Sequence, residues 1–233
     1  MLLALPYLRI GFNAFIEGRD IPLFRGAIAQ IAGYDHVLFH NHTEEGFRYA
    51  YPLIQYKQIR NKLSIVCVGE GTEEISYLFR SGKPYRLRIG EKHLEMSIEI
   101  LNARKHPLQV WNSMISYRIC RWFPFNSETY QAYRQKTTDQ ARRELLEATL
   151  RGQIMAFAKG VGWRLPSKEE RPIICRILHL SEPVRHTVRQ ARLIAFNATF
   201  ETNVSLPNFI GLGRHVSIGY GVISQLQKEE ELF

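Results

Sequence analysis

Residues 211–221 read GLGRHVSIGYG, in which two Gly-x-Gly pairs flank five residues. Glycine has no Cβ, so it permits a positive φ and lets another backbone or a ligand approach closely. A loop built on paired glycines can therefore point its amides at phosphate oxygens. The segment predicts an anion-binding loop, and the alternative is a glycine-rich hairpin that merely turns the chain.

Two common nucleotide-binding motifs do not fit this segment. No Lys-Ser or Lys-Thr follows the last glycine, which excludes a Walker loop, and the spacing Gly-x-Gly-x-x-Gly of a dinucleotide fingerprint is absent. Arg214 and His215 stand inside the loop and add polar, cationic character. The sequence thus favours an anion other than an ordinary nucleotide.

The charge balance also favours a polyanionic partner. The 233 residues contain 31 Lys plus Arg against 22 Asp plus Glu, a formal net charge of +9. Nucleic acid is the commonest partner of such a surface, and general solubility charge is the alternative. Clustering favours the polyanion, and two basic clusters are Arg80, Lys83, Arg86, Arg88, Lys92 and Arg185, Arg189, Arg192.

Composition indicates a folded protein of a reducing compartment. Hydrophobic residues make up 45% of the chain, too many for a disordered polymer. The three cysteines are far apart, which disfavours a disulfide framework and a structural zinc. Residues 1–8 are apolar but interrupted by Pro6 and followed by Arg9, so they predict a strand, not a signal peptide. We expect a cytoplasmic protein without a membrane span.

Hydrophobic periodicity across the first half predicts the order β-α-β-β-α-β of the ferredoxin-like unit. A second, less regular copy follows, and Pro107 marks a linker at residues 105–112. We expect an α+β fold of two tandem ferredoxin-like (RRM-like) domains, residues 1–108 and 109–233. The predicted strands are 2–15, 47–59, 63–68, 85–101, 115–125, 172–180 and 195–200, and the predicted helices are 21–32, 72–79 and 127–158.

The glycine-rich segment and this domain pattern together resemble the CRISPR-associated RAMP superfamily, in particular its repeat-cleaving endoribonucleases. The resemblance covers the whole chain. It implies tandem ferredoxin-like domains, cleavage of CRISPR repeat RNA without metal or organic cofactor, and RNA contacts by the glycine-rich loop. The RNA-binding residues it implies, together with two from the basic clusters, are Gly211, Gly213, Arg214, His215, Ser217, Gly219, Gly221, Arg185 and Arg189.

His36, His40 and His42 lie within seven residues, directly after the first predicted helix. If the backbone there is extended, the rings of His40 and His42 share one face. Imidazole has an ordinary pKa of about 6.5, so one ring can accept a proton while the other donates one. The alternatives are loop histidines bonded to nearby backbone and a zinc site completed by a fourth ligand. The resemblance places a catalytic histidine after the first helix, which matches His40 and His42.

The resemblance also implies a tyrosine near that helix and a lysine after the histidine. Tyr34 and Lys57 are the candidates here, although Arg48 lies nearer to the histidines. Lys57 would hold a phosphate or stabilise the charge that develops on it. The alternatives are that Tyr34 belongs to the core and that Lys57 is a solvated strand charge.

The expected function is metal-independent cleavage of CRISPR repeat RNA by attack of a 2′-hydroxyl, giving a 2′,3′-cyclic phosphate and a 5′-hydroxyl. His40 and His42 would share the general acid and general base roles. The expected partner is CRISPR repeat RNA, with an effector ribonucleoprotein and a homodimer left open, and no membrane. The alternatives are a non-catalytic RNA-binding RAMP subunit and a ferredoxin-like regulator that binds a phosphorylated small molecule.

Overall fold

Two larger antiparallel sheets form the framework of the protein. The computed structural model describes residues 2–33, 37–40, 42–43, 46–47, 50–79, 85–167, 169–188 and 191–227. The strands are β1 (Leu3–Phe15), β2 (His42–Thr43), β3 (Gly46–Phe47), β4 (Ile54–Ile59), β5 (Lys62–Val68), β6 (Tyr85–Ile89), β7 (Lys92–Met96), β8 (Ile98–Leu108), β9 (Val110–Trp122), β10 (Cys175–Leu180), β11 (Val184–Val188), β12 (Ala191–Val204) and β13 (Val222–Gln225). The α-helices are α1 (Ile21–Ala32), α2 (Val37–His40), α3 (Gly71–Glu74), α4 (Ser127–Gln135) and α5 (Asp139–Gly160).

The first sheet has the antiparallel strand order β4-β5-β1-β8. Helix α1 covers one of its faces because Ile21, Phe24 and Ile28 recur at helical spacing and are all buried. Pro22 stands in its first turn, and Gly33 ends it with a backbone hydrogen bond to the carbonyl of Ala29. The order of strands and helices is that of the ferredoxin-like unit.

The second sheet repeats this arrangement in the order β10-β12-β9-β13. Helix α5 packs on one face through apolar residues at helical spacing, and the glycine-rich segment occupies the place of the unit's second helix, between β12 and β13. The buried residues of α5 are Leu146, Leu150, Ile154, Phe157 and Ala158. The prediction of two tandem ferredoxin-like domains is therefore confirmed.

Several predicted element bounds are wrong for local reasons. Residues 105–112 are not a linker, because β8 reaches Leu108 and β9 begins at Val110. Pro107 is tolerated inside β8 because β8 is an edge strand of the sheet. The division of the chain at residues 108 and 109 stays a prediction.

The helical region predicted at 127–158 is two helices. Helix α4 begins with a capping box in which the side chain of Asn126 accepts from the backbone of Thr129. Helix α5 begins anew because the side chain of Thr138 accepts from the N–H of Ala141. Within the predicted strand 47–59, Phe47 ends β3 and Ile54–Ile59 form β4, while the described residues 50–53 are not in a strand. The predicted helix 72–79 is α3 followed by a 3₁₀ helix, Ile75–Phe79.

The face of the first sheet opposite α1 is buried against the second half of the chain. The hydroxyl of Tyr7 donates to the carbonyl of Asn208 at 2.9 Å. The guanidinium of Arg9 lies 4.6 Å from the ring centroid of Phe209. An RRM binds RNA on its open sheet face. In this chain that face of the first domain is closed by the second half of the chain and is not open to a ligand.

Candidate nucleic-acid interface

An open cleft of about 1310 Å³ is lined by residues of both domains. One wall is α1 with residues 50–52, and the other is α5, β11 and the glycine-rich segment. Arg19, Arg25, Arg214 and His215 line it, and its described lining contains no Asp or Glu. The charged side chains of the described lining are therefore all basic, which suits a polyanion, and one of them, Arg19, is paired with Glu17 at 2.9 Å.

Small residues on both helices keep the cleft open. Gly26 and Ala29 of α1 line one wall, and Gly152 and Ala156 of α5 line the other. A Cβ added at Gly26 or Gly152 would meet no atom within 4 Å. The two helices thus leave room for a ligand between the domains.

The glycine-rich segment is attached to the first domain at Gly211. The N–H of Gly211 donates to Oε1 of Gln55 at 3.0 Å, and its carbonyl accepts from the hydroxyl of Tyr51 at 2.9 Å. Nε2 of Gln55 donates in turn to the oxygen of Tyr51 at 2.9 Å. Burial raises the pKa of Tyr51, so its hydroxyl remains a proton donor. Sequence periodicity did not reveal this network, because it joins residues about 160 positions apart.

A second link crosses the cleft itself. Nη1 of Arg25, on α1, donates to Oγ of Ser217 at 3.2 Å. This bond holds one arginine of the cleft beside the glycine-rich segment. Arg25 is a further binding candidate that the sequence analysis missed, since its position in α1 marks it only as a polar helix residue.

The glycines are required mainly for close approach to other parts of the protein. Gly213 has φ +98°, and a Cβ there would lie 2.7 Å from the carbonyl oxygen of Phe123. Gly219 has φ +87°, and a Cβ there would lie 2.9 Å from Cδ1 of Ile21. The predicted need for positive φ and close approach is correct, and in both cases the approaching group belongs to the protein.

Many amides of the segment are already used. Six of them donate to protein acceptors, which leaves those six unable to hold a phosphate. The expectation that the paired glycines present their amides to RNA therefore applies only to the remaining positions. The six donors are Gly211, Leu212, Arg214, Ile218, Gly219 and Gly221.

An aromatic cluster lies at the loop end of the cleft. The ring of buried Phe123 lies 4.6 Å from that of Tyr220 and 5.8 Å from those of His186 and His215. His215 is held in the left-handed region at φ +57°, which is uncommon for a residue other than glycine. The cluster brings His215 and Tyr220 together beside the cleft that both residues line.

Lys57 does not reach the cleft surface. Its side chain is completely buried, and its Nζ has no hydrogen-bond partner in the described part of the chain. Burial, aided by the charge of Arg121, lowers the pKa of Lys57 from 10.5 to about 7. The interpretation of Lys57 as a solvated strand charge is wrong because its side chain is completely buried, and the same burial keeps Nζ from the cleft surface, where it would have to meet a phosphate.

The structure describes the other candidates only in part. His40 ends the short helix α2 and His42 begins β2, so the two do not form one extended run, and the side chains of both lie outside the description. Arg185 is exposed on β11, opposite Ile194 of β12. The candidates that lie outside the described residues altogether are Tyr34, His36, Arg48 and Arg189.

Comparison with known proteins assigns the family. A model of the Cas6b N-terminal domain matches residues 3–107, and a model of the Cas6b C-terminal domain matches residues 109–226. The chain belongs to the Cas6b family. The prediction of a CRISPR-associated repeat-processing family is confirmed, and so, at the level of the family, is the prediction of an endoribonuclease.

Solved structures agree with this assignment in fold. A crystal structure of Cas6b has a TM-score of 0.82 at 24% identity and covers 97% of this chain and 100% of its own. Another, described as the CRISPR RNA processing endoribonuclease Cas6b, has a TM-score of 0.70 at 22% identity, with the same coverage. An uncharacterised protein of Methanocaldococcus jannaschii is 28% identical over 120 residues, which is 51% of this chain and 78% of that protein. No helix in the described ranges is long and apolar enough to cross a membrane.

Gly221→Ala should destabilise the protein. Gly221 has φ +62°, and a Cβ there would overlap the carbonyl oxygen of Leu212. Left-handed strain alone costs about 1–3 kcal/mol, and the overlap adds to it. Urea unfolding measures the loss. The matched control, Gly152→Ala in α5, meets open space and should gain about 0.5–1 kcal/mol. Equal stability of Gly221→Ala and the wild type would contradict the close approach of residues 212 and 221.

Lys57→Met should remove a pH dependence of stability. The unfolded chain keeps the Lys57 proton up to its ordinary pKa of 10.5, whereas the folded protein loses it near pH 7. Between these values the unfolded state binds the extra proton, so wild-type stability rises with pH by up to about 1.4 kcal/mol per unit. Between about pH 7 and about pH 8.5, the free energy of unfolding of the wild type should rise relative to that of the variant. The measurement stops at about pH 8.5 because thiols ordinarily titrate from there upward. Parallel profiles would mean that Lys57 stays protonated in the fold.

Proposed function

We propose that this chain binds CRISPR repeat RNA in the cleft between its domains and cleaves it by attack of a 2′-hydroxyl on the adjacent phosphate. The products would carry a 2′,3′-cyclic phosphate and a 5′-hydroxyl. The observation that supports this best is a cationic cleft, free of carboxylates in its described lining, that the glycine-rich segment borders. Membership of the Cas6b family supplies the substrate class.

RNA phosphates would contact the arginines of the cleft. Arg19 and Arg25 approach from the first domain and Arg214 from the second. Guanidinium groups bind phosphate through charge-assisted hydrogen bonds. Because the inner face of the first sheet is closed, the cleft is the surface on which both domains can hold one strand.

Proton transfer would come from the segment that carries His36, His40 and His42, called here the histidine segment. The 2′-hydroxyl must lose a proton and the leaving 5′-oxygen must gain one, and His40 and His42 provide two imidazoles for these roles. Ala29 precedes the segment and Ala50 follows it, and both line the cleft, so the chain enters and leaves the segment at the cleft wall. In this proposal residues 1–108 supply the acid–base groups and residues 109–233 supply the loop.

The buried position of Lys57 removes it from this scheme. Stabilisation of the charge that develops on the phosphate passes to groups that reach the cleft, namely Arg25 and Arg214. Tyr34 keeps the place that the family resemblance gave it, near the end of α1.

His40→Ala with His42→Ala should abolish cleavage and leave RNA affinity within a few-fold. Each proton-transfer role contributes about 10²–10⁴ in rate, while affinity rests on the arginines. The assay uses synthetic repeat RNA in EDTA, with the 3′ end of the product tested for a cyclic phosphate. A substrate with a 2′-deoxy nucleotide at the cleavage position is the control and should stay intact with the wild type.

Two results of that experiment would contradict the assignment. A double variant that cuts at the normal rate removes both histidines from the chemistry. A double variant that neither cuts nor binds shows that the histidines hold the RNA. If the wild type binds repeat RNA and never cuts it, the non-catalytic subunit becomes the function.

Affinity for repeat RNA should fall steeply with salt, with a slope of about −0.7 in log affinity against log salt for each phosphate contact on a single strand. Arg25→Gln should reduce the magnitude of that slope by about one contact. Arg118→Gln is the matched control, because Arg118 is exposed on β9 and does not line the cleft. A flat salt response of the wild type would argue against phosphate binding in the cleft.

A further inference from the structure

Arg121 lies at an irregularity of β9 next to the glycine-rich segment. The register between β9 and β12 shifts between Phe196 and Ala198, and Arg121 there has a left-handed φ of +50°. The side chain of Asn197 accepts from its N–H at 2.8 Å. Bulges of this kind re-aim side chains and occur next to functional sites.

Arg121 contacts three successive residues of the segment. Its Nη2 donates to the carbonyl of Gly219 at 3.1 Å. Its guanidinium lies 5.4 Å from the ring centroid of Tyr220. Its own carbonyl accepts from the N–H of Gly221 at 3.0 Å. One residue thus fixes the orientation of the peptide that joins Gly219 to Tyr220.

The orientation of that peptide determines where its N–H points. In a trans peptide the C=O and N–H groups point in opposite directions. Because the carbonyl of Gly219 points at Arg121, the N–H of Tyr220 points away from it. Tyr220 lines the cleft, and its N–H has no acceptor among the residues that the structure describes.

We infer that the N–H of Tyr220 binds an RNA phosphate and that Arg121 is the positioning residue that aims it; this rests on the proposed function of the cleft. Arg121 acts from behind the loop and does not itself line the cleft. Its Nη1 lies against Gly18, where an added Cβ would come within 2.5 Å of it. Its charge also acts on buried Lys57. The guanidinium is therefore engaged by the loop and by Gly18, and Arg121 is absent from the described lining of the cleft.

The experiment measures the affinity of Arg121→Gln for synthetic repeat RNA at several salt concentrations. A positioning role predicts affinity about tenfold weaker, as for a lost charge-assisted hydrogen bond, with the salt slope of the wild type. Arg121→Lys, which keeps a donor near Gly219, should recover part of the loss. Arg25→Gln is the comparison that lowers the slope, and Arg118→Gln is the control that changes neither quantity.

The results distinguish a failure of this inference from a failure of the proposed function. A slope reduced by one contact in Arg121→Gln would show that Arg121 binds phosphate directly, and unchanged affinity would show that it positions nothing; either result overturns the inference. Replacing the amide of Tyr220 by an ester should weaken binding in the wild type and have no further effect in Arg121→Gln. A wild type that does not bind repeat RNA overturns the proposed function instead.

Discussion

The place of the glycine-rich loop depends on the two hydrogen bonds at Gly211. Gln55 and Tyr51 satisfy its N–H and its carbonyl, and Gly211 and Gln55 are buried while Tyr51 is half-buried at the cleft wall. Removing either side chain would leave a backbone group of buried Gly211 without its partner, which costs about 1–3 kcal/mol. Tyr51 also follows the histidine segment closely in the chain. The same side chain therefore ties the candidate chemistry to the candidate RNA-binding loop.

The closed inner face of the first sheet follows from the same arrangement. Two ferredoxin-like units could each offer an open sheet face to RNA. Here Tyr7 and Arg9 turn one of those faces toward the second domain, where they meet Asn208 and Phe209. The sheet face is covered, but small residues of α1 and α5 leave an open cleft between these two helices. In the proposed function, RNA is accordingly recognised at the junction of the two domains and not on a flat sheet face.

Local pattern was enough for most of the fold, because apolar spacing in α1 and the caps of α4 and α5 act within a few residues. It misplaced the linker, because the tolerance of Pro107 depends on β8 being an edge strand, which only tertiary structure decides. The glycine motif located the loop correctly. The contacts of Gln55 could not be predicted because they join the two halves of the chain, and those of Arg121 could not be predicted because they join residues up to 98 positions apart. The assignment of His40 and His42 rests on the sequence, because their side chains lie outside the described part of the structure.

The two domains share part of their hydrophobic core. A single cluster of buried residues contains Tyr7 and Val68 from the first sheet together with Ile119 and Phe157 from the second domain. Cutting the chain between the domains would expose apolar surface on both fragments, and exposed apolar surface favours aggregation. The chain should accordingly melt as one cooperative unit despite its two-domain architecture, and neither half should serve as a stable minimal fragment.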